Sequence, residues 1–149
     1  MVKFDHLKVV KIVVKKMIHR YPMGIYPRTL WITFDATPEE LNLQFPTGDS
    51  EDKPFVALEK CEDARVDAVC DIKNNGGYLI RFDGVKSVRM GAVAHEANHV
   101  ADDLYRFIGA VPVINNNEPH AYLVGWVAAC VEDALSAEEN ERAVCSRHQ

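Results

Sequence analysis

Gly91-Ala92-Val93-Ala94-His95-Glu96-Ala97-Asn98-His99-Val100 is the stretch on which the reading of this chain turns. Two histidines four residues apart sit one above the other on a helix, so both imidazoles can close on one metal ion while the intervening Glu96 points at its bound water. The spacing predicts a helix from about Ser87 to Gly109 with this pattern at its middle. Its apolar stripe is Met90, Val93, Ala97, Val100, Leu104, Phe107 and Ile108, and His95 and His99 project from another face. Histidines that merely filled the core would fall inside that stripe, so the helical wheel favours a metal site.

A catalytic zinc takes three protein ligands and leaves a fourth position for water, so a third ligand is needed. Glu118 lies nineteen residues beyond His99, at the head of a second helix expected to run to about Leu135. It becomes the third ligand if the connector Ala110 to Asn117, with Pro112 and three asparagines, lays the two helices antiparallel. Ala121, Gly125 and Ala129 lie on or near the Glu118 face and would permit close approach. His120 is the rival ligand, but it shares a face with Leu123, Val124, Val127 and Val131, where a core or substrate-facing histidine is the more ordinary reading. Asp102 and Asp103 read either as solvated surface charge or as carboxylates that orient a ligand imidazole.

Upstream, Asp5 to Arg20 has helical amphipathicity, with Leu7, Val9, Val10, Val13, Val14, Met17 and Ile18 on one face and Lys8, Lys11, Lys15 and His19 on the other. Tyr21 to Arg28, with Pro22, Gly24 and Pro27, breaks that helix, and Thr29 to Asp35 reads as a strand. Thr37-Pro38-Glu39-Glu40 supplies an N-cap, a proline at the first helical position and a Glu at the third, which opens a short helix ending near Gln44. Phe45 to Pro54 is turn-rich and carries no assigned function. Asp63 to Ile72 and Gly77 to Asp83 flank Asn74-Asn75-Gly76-Gly77, a strong hairpin signal. Ser136-Ala137-Glu138-Glu139 has the form of a second capping box, predicting a separate short C-terminal helix.

A chain of 149 residues with 48% apolar content can bury one core, so a single domain is expected over residues 1–149. A net charge of −5 and a pI near 5.6 argue against nucleic acid as partner. The longest apolar run, Ala121 to Val131, is too short to span a bilayer, and Lys8, Lys11, Lys15 and Lys16 interrupt any signal-peptide pattern. Cys61, Cys70, Cys130 and Cys145 have no knuckle or redox spacing and read as reduced thiols, which suits a cytoplasmic protein.

His95-Glu96-x-x-His99 followed by Asn117-Glu118 resembles the HExxH plus downstream Glu arrangement of gluzincins. The size of the chain is similar to that of the small zincin-like metallopeptidases of bacteria, phages and mobile elements, including relatives of the ImmA/IrrE group. The resemblance spans roughly Asp63 to Leu135. Metzincins would need Gly at Asp102 and His at Tyr105, so that branch is excluded. Thermolysin-like enzymes place Asp four residues after the ligand Glu, where this chain has Tyr122; ImmA-like proteins often show Glu-x-x-Ala-Asn, and here too the last residue is Tyr122. The resemblance implies that His95, His99 and Glu118 hold Zn²⁺ and that Glu96 is the general base, acting on a protein or peptide substrate, in the host cytoplasm if the chain is phage-encoded. It also implies a donor to the developing oxyanion, for which Tyr122 and His120 are preferred over Tyr105 and Arg89. In that architecture an extended peptide pairs with a sheet edge beside the metal, and Gly77 to Asp83 is the expected strand.

The reading is thus an α+β, zincin-like fold: a three-stranded sheet packed against the HExxH helix and a following antiparallel helix. Its competitors are another zinc amide hydrolase, for which Cys70 is the one upstream sulfur donor to consider, and a non-catalytic protein pinned by its metal. Retention of Glu96 disfavours the second, since a structural site does not require a general base.

Overall fold

The centre of the sheet is set by its two most apolar strands, Thr29–Thr33 (β2) and Gly76–Phe82 (β4), which pair in parallel, Leu30 opposite Tyr78 and Ile32 opposite Ile80. Strands in this position are covered on both faces, and every residue of β2 is buried. His19–Pro22 (β1) adds antiparallel to β2, and Ala64–Cys70 (β3) adds antiparallel to β4, giving the order β1-β2-β4-β3. The computed structural model describes residues 17–147.

Strand alternation then sorts the side chains into two cores. On one face Leu30, Ile32, Tyr78, Ile80 and Phe82 pack against the helices Met90–Ile108 (α2) and Glu118–Ser146 (α3) through Ala97, Val100, Leu104, Val127 and Val131. On the other, Trp31, Val69 and Leu79 pack against Leu41 of the helix Pro38–Gln44 (α1) and against Phe45 and Phe55 of the segment that follows it. Trp31 meets Phe45 edge-to-face at 5.2 Å, the arrangement aromatic quadrupoles prefer. Beneath this second core, Arg81 and Asp67 form an ion pair at 3.0 Å with side chains only 6% and 5% exposed.

Local signals in the sequence account for several boundaries. The capping box of α1 is complete: Glu40 N–H donates to Thr37 Oγ1 and Thr37 N–H donates to Glu40 Oε2, with Pro38 at the first position. In the β3–β4 turn, the Asp71 carboxylate accepts from the backbone amides of Lys73 and Asn75 and from Asn75 Nδ2, while Asn74 adopts φ +64°. Burial pushes the Asp71 carboxyl up, but those donors outweigh it and hold it below the usual carboxylate range. A Cβ at Gly77 would lie 1.8 Å from the Thr29 carbonyl oxygen, so the closest approach of β4 to β2 admits only glycine.

Three expectations are corrected. The sheet has four strands rather than three, because His19 and Arg20, expected at the end of a helix, open β1 instead. Tertiary partners hold them there: His19 pairs with Glu138 at 3.2 Å and Tyr21 donates to Asp133 at 2.7 Å. The rest of the expected Asp5 to Arg20 helix, residues 5–16, lies outside the described residues, and Met17 and Ile18 are not helical. The C-terminal helix is continuous with α3, since the Ser136 hydroxyl turns back to donate to the Glu132 carbonyl and caps nothing. Finally, Gly77 to Asp83 is not an edge: β4 lies between β2 and β3, and among the described residues β3 is the edge strand on the α2 side. No helix among the described residues is long and apolar enough to cross a membrane.

Candidate metal centre

The apolar periodicity of α2 turns Ala97, Val100 and Leu104 into the core and leaves His95 and His99 exposed, as the wheel requires. Met90, Phe107 and Ile108, at the ends of the same stripe, overrun the sheet and are exposed. The imidazoles converge: His95 Nε2 and His99 Nε2 are 3.0 Å apart. Two ligand nitrogens about 2.0–2.1 Å from one tetrahedral zinc lie about 3.3–3.4 Å from each other, so the pair fits a shared ion within a few tenths of an ångström.

Glu96 points inward between α2 and β3 and is 6% exposed. Burial pushes its carboxyl up from the ordinary glutamate range, the two imidazoles pull it down, and Glu62 and Asp67 add to the rise. A carboxyl raised by burial beside two imidazoles is the kind of perturbed group found at functional sites. The cleft before it, about 230 Å³, is bounded by Glu62, Ala64, Arg65 and Val66 on the β3 side and by His95, Glu96, His99 and Asp103 on α2.

The head of α3 is fixed by His120, whose Nε2 lies 2.8 Å from Asp102 Oδ1 and whose ring stands edge-on to Tyr105 at 5.1 Å. Asn98 Nδ2 also donates to Asp102, at 3.3 Å. His120 and Asp102 therefore act together in seating α3 on α2. Asp103 pairs with Arg106, and Arg89 pairs with Asp63 at 2.5 Å. Tyr122 is 75% exposed.

Glu118 opens α3 on an exposed face, with Ala121, Gly125 and Ala129 exposed behind it. This reverses the expected packing. The bulkier face with Leu123, Val124, Val127 and Val131 buries more apolar area and so is the one turned to the core. Among the described residues no group of three His, Cys, Asp or Glu side chains gathers closely enough to hold a metal, so the structure joins His95 to His99 but does not bring Glu118 to them. Besides Glu96, the carboxylates that line the cleft are Glu62 and Asp103. Asp103 was legible as the next step of the i, i+4 series from His99; nothing local marked Glu62. Cys70 lines a neighbouring hollow with Arg106 and Phe107, which shares Asp103 with the cleft but includes neither histidine. All four cysteines are free.

No family model, curated protein or solved structure matches the chain.

Proposed function

We propose that the protein is a zinc-dependent peptidase of zincin-like architecture. The observation that carries this reading is the convergence of His95 and His99 Nε2 at 3.0 Å on the open side of α2, with Glu96 buried between that helix and a free strand edge. Bound there, zinc would lower the pKa of its water from 15.7 towards about 7. His95 and His99 would hold the ion, and Glu96 would serve as the general base that takes up a water proton and delivers it to the departing amine. The backbone of β3, beside the pair, offers its unpaired edge to an extended peptide. Tyr122, on the exposed head of α3, is the remaining donor for a developing oxyanion, His120 being engaged with Asp102.

The third ligand is proposed to be Glu118 on its spacing from the motif, and the structure does not carry its carboxylate to the pair. Glu62 and Asp103 are the rival donors. Protein purified without chelator should carry about one zinc per chain. His95→Ala should abolish it, Glu118→Ala should lower it well below stoichiometry, and His120→Ala should leave it stoichiometric. Elemental analysis decides: loss in Glu62→Ala or Asp103→Ala but not in Glu118→Ala moves the third ligand across the cleft. If the wild type carries no transition metal and added zinc does not raise its melting temperature, the reading is rejected.

A further inference from the structure

Resting on the peptidase reading, we propose that Ser50 closes the cleft at the Ala68 end of β3, so that the site removes short amino-terminal segments from peptides rather than cutting in mid-chain. The backbone amide of Ala68 donates to Ser50 Oγ at 2.8 Å. That bond shows which way the strand's groups face. Since backbone groups of an edge strand alternate between partner and open side, Ala64 and Val66 direct theirs outward like Ala68. Ala64 and Val66 lie level with His95, Glu96 and His99, which bound the same cleft, and their edge is available to a bound strand. Ala68 is already taken.

The stop is firmly held. Asp49 Oδ1 accepts from the amides of Glu51 at 2.9 Å and Lys53 at 3.0 Å, and Asp49 N–H donates to the Lys53 carbonyl at 2.8 Å. Gly48 adopts φ +89°, and a Cβ there would lie 2.2 Å from the Lys53 carbonyl oxygen. Ser50 Oγ itself donates to Asp67 Oδ1 at 3.4 Å, tying the loop to the buried ion pair.

Antiparallel pairing, the more stable of the two per residue, runs a bound peptide from the Ala68 end toward Ala64, so its amino-terminal side meets Ser50. From the level of Val66 to Ala68 a strand advances by two residues, or about 7 Å, which limits that side to about three residues. The end so closed is lined by the carboxylates of Asp49 and Asp52, chemistry that suits a free α-ammonium, and by Asp103. Arg106 is already paired with Asp103, and Arg28 lies over the Phe107 ring at 3.5 Å. In the reaction the peptide C–N bond breaks, the carbonyl carbon gains the water oxygen, and Glu96 carries the water proton to the released amine.

The test uses zinc-loaded full-length protein and a set of dodecapeptides with free or acetylated amino termini, the products being read by mass spectrometry. Cuts are expected within about three residues of a free amino terminus, falling at least tenfold on acetylation, and Ser50→Gly should move them inward. Mid-chain or carboxy-terminal cutting, or indifference to acetylation, overturns the proposal. A second measurement needs no turnover: in ¹⁵N-labelled Glu96→Gln protein the same peptides should shift the amides of Ala64 and Val66 but not Ala68, and adding Ser50→Gly should bring Ala68 into the shifted set. That pattern without any hydrolysis by the wild type leaves the stop standing and removes the peptidase. Hydrolysis in mid-chain does the reverse, and unshifted Ala64 and Val66 amides overturn the edge pairing itself.

Discussion

Glu96→Gln should leave shape and zinc content intact and lower peptide hydrolysis by about 10²–10⁴-fold, the usual contribution of a positioned general base. The expected size follows from geometry. Glu96 lies between the two histidines in sequence, yet its side chain turns into the protein, 6% exposed, while theirs face out. On the proposed reading it would touch the metal's water without being a ligand. Glutamine preserves its volume and removes the ability to take a proton. A peptide-library or host-lysate cleavage assay, run beside elemental analysis, reads both quantities. Should the wild type cleave no candidate while Glu96→Gln keeps full biological effect in cells, the protein is a metal-pinned binding module and the peptidase reading is withdrawn.

Asp67→Ala should cost about 3–5 kcal/mol of stability, the penalty for leaving one member of a buried ion pair uncompensated. Arg81 would keep its bond to the Val56 carbonyl, at 2.9 Å, and its place over the Phe55 ring, at 5.0 Å, but it would lose its ion-pair partner, with the Asp49 carboxylate still acting on its charge. Its Nε is already without a partner, so the guanidinium has no reserve to fall back on. Replacing both partners, Asp67→Leu with Arg81→Met, should recover most of the loss, because the desolvation penalty disappears with the charges. Urea denaturation of the two single variants and the double variant measures this as a coupling energy. Equal stability of Asp67→Ala and wild type would show that water reaches the pair.

What could be read from the sequence was what depends on neighbours a few residues away. The Thr37 box, the Asn74-Asn75 turn and the register of α2 are each fixed by local hydrogen bonding or by a repeat of 3.6, and each is found in place. The His95–His99 convergence follows from the same period. Strand β1 could not be read this way: His19–Pro22 has no alternation to announce it, and its conformation is set by β2 and α3, far along the chain. Ser136 misleads because a residue suited to capping is also tolerated inside a helix when its hydroxyl bonds one turn back. The orientation of Glu118 was lost for a different reason. Small residues permit close packing but do not compel it, and the larger area on the opposite face of α3 decides which side is buried. Which strand forms the edge is equally non-local, since it depends on β4 inserting between two earlier strands.

That insertion has a consequence for how the molecule assembles. The β3–β4 hairpin and the joined helices α2 and α3 occupy one unbroken span of chain, whereas pairing β2 with β4 must bring Leu30 to Tyr78, 48 residues away. Loop closure over such a distance is opposed by chain entropy before any contact repays it. In pulse-labelled exchange, amides of β3 and β4 should therefore gain protection before those of β2. Both walls of the cleft, residues 62–66 and 95–103, are thus made on the ribosome after the β1–β2 hairpin, and that hairpin, though synthesised before them, must wait for them.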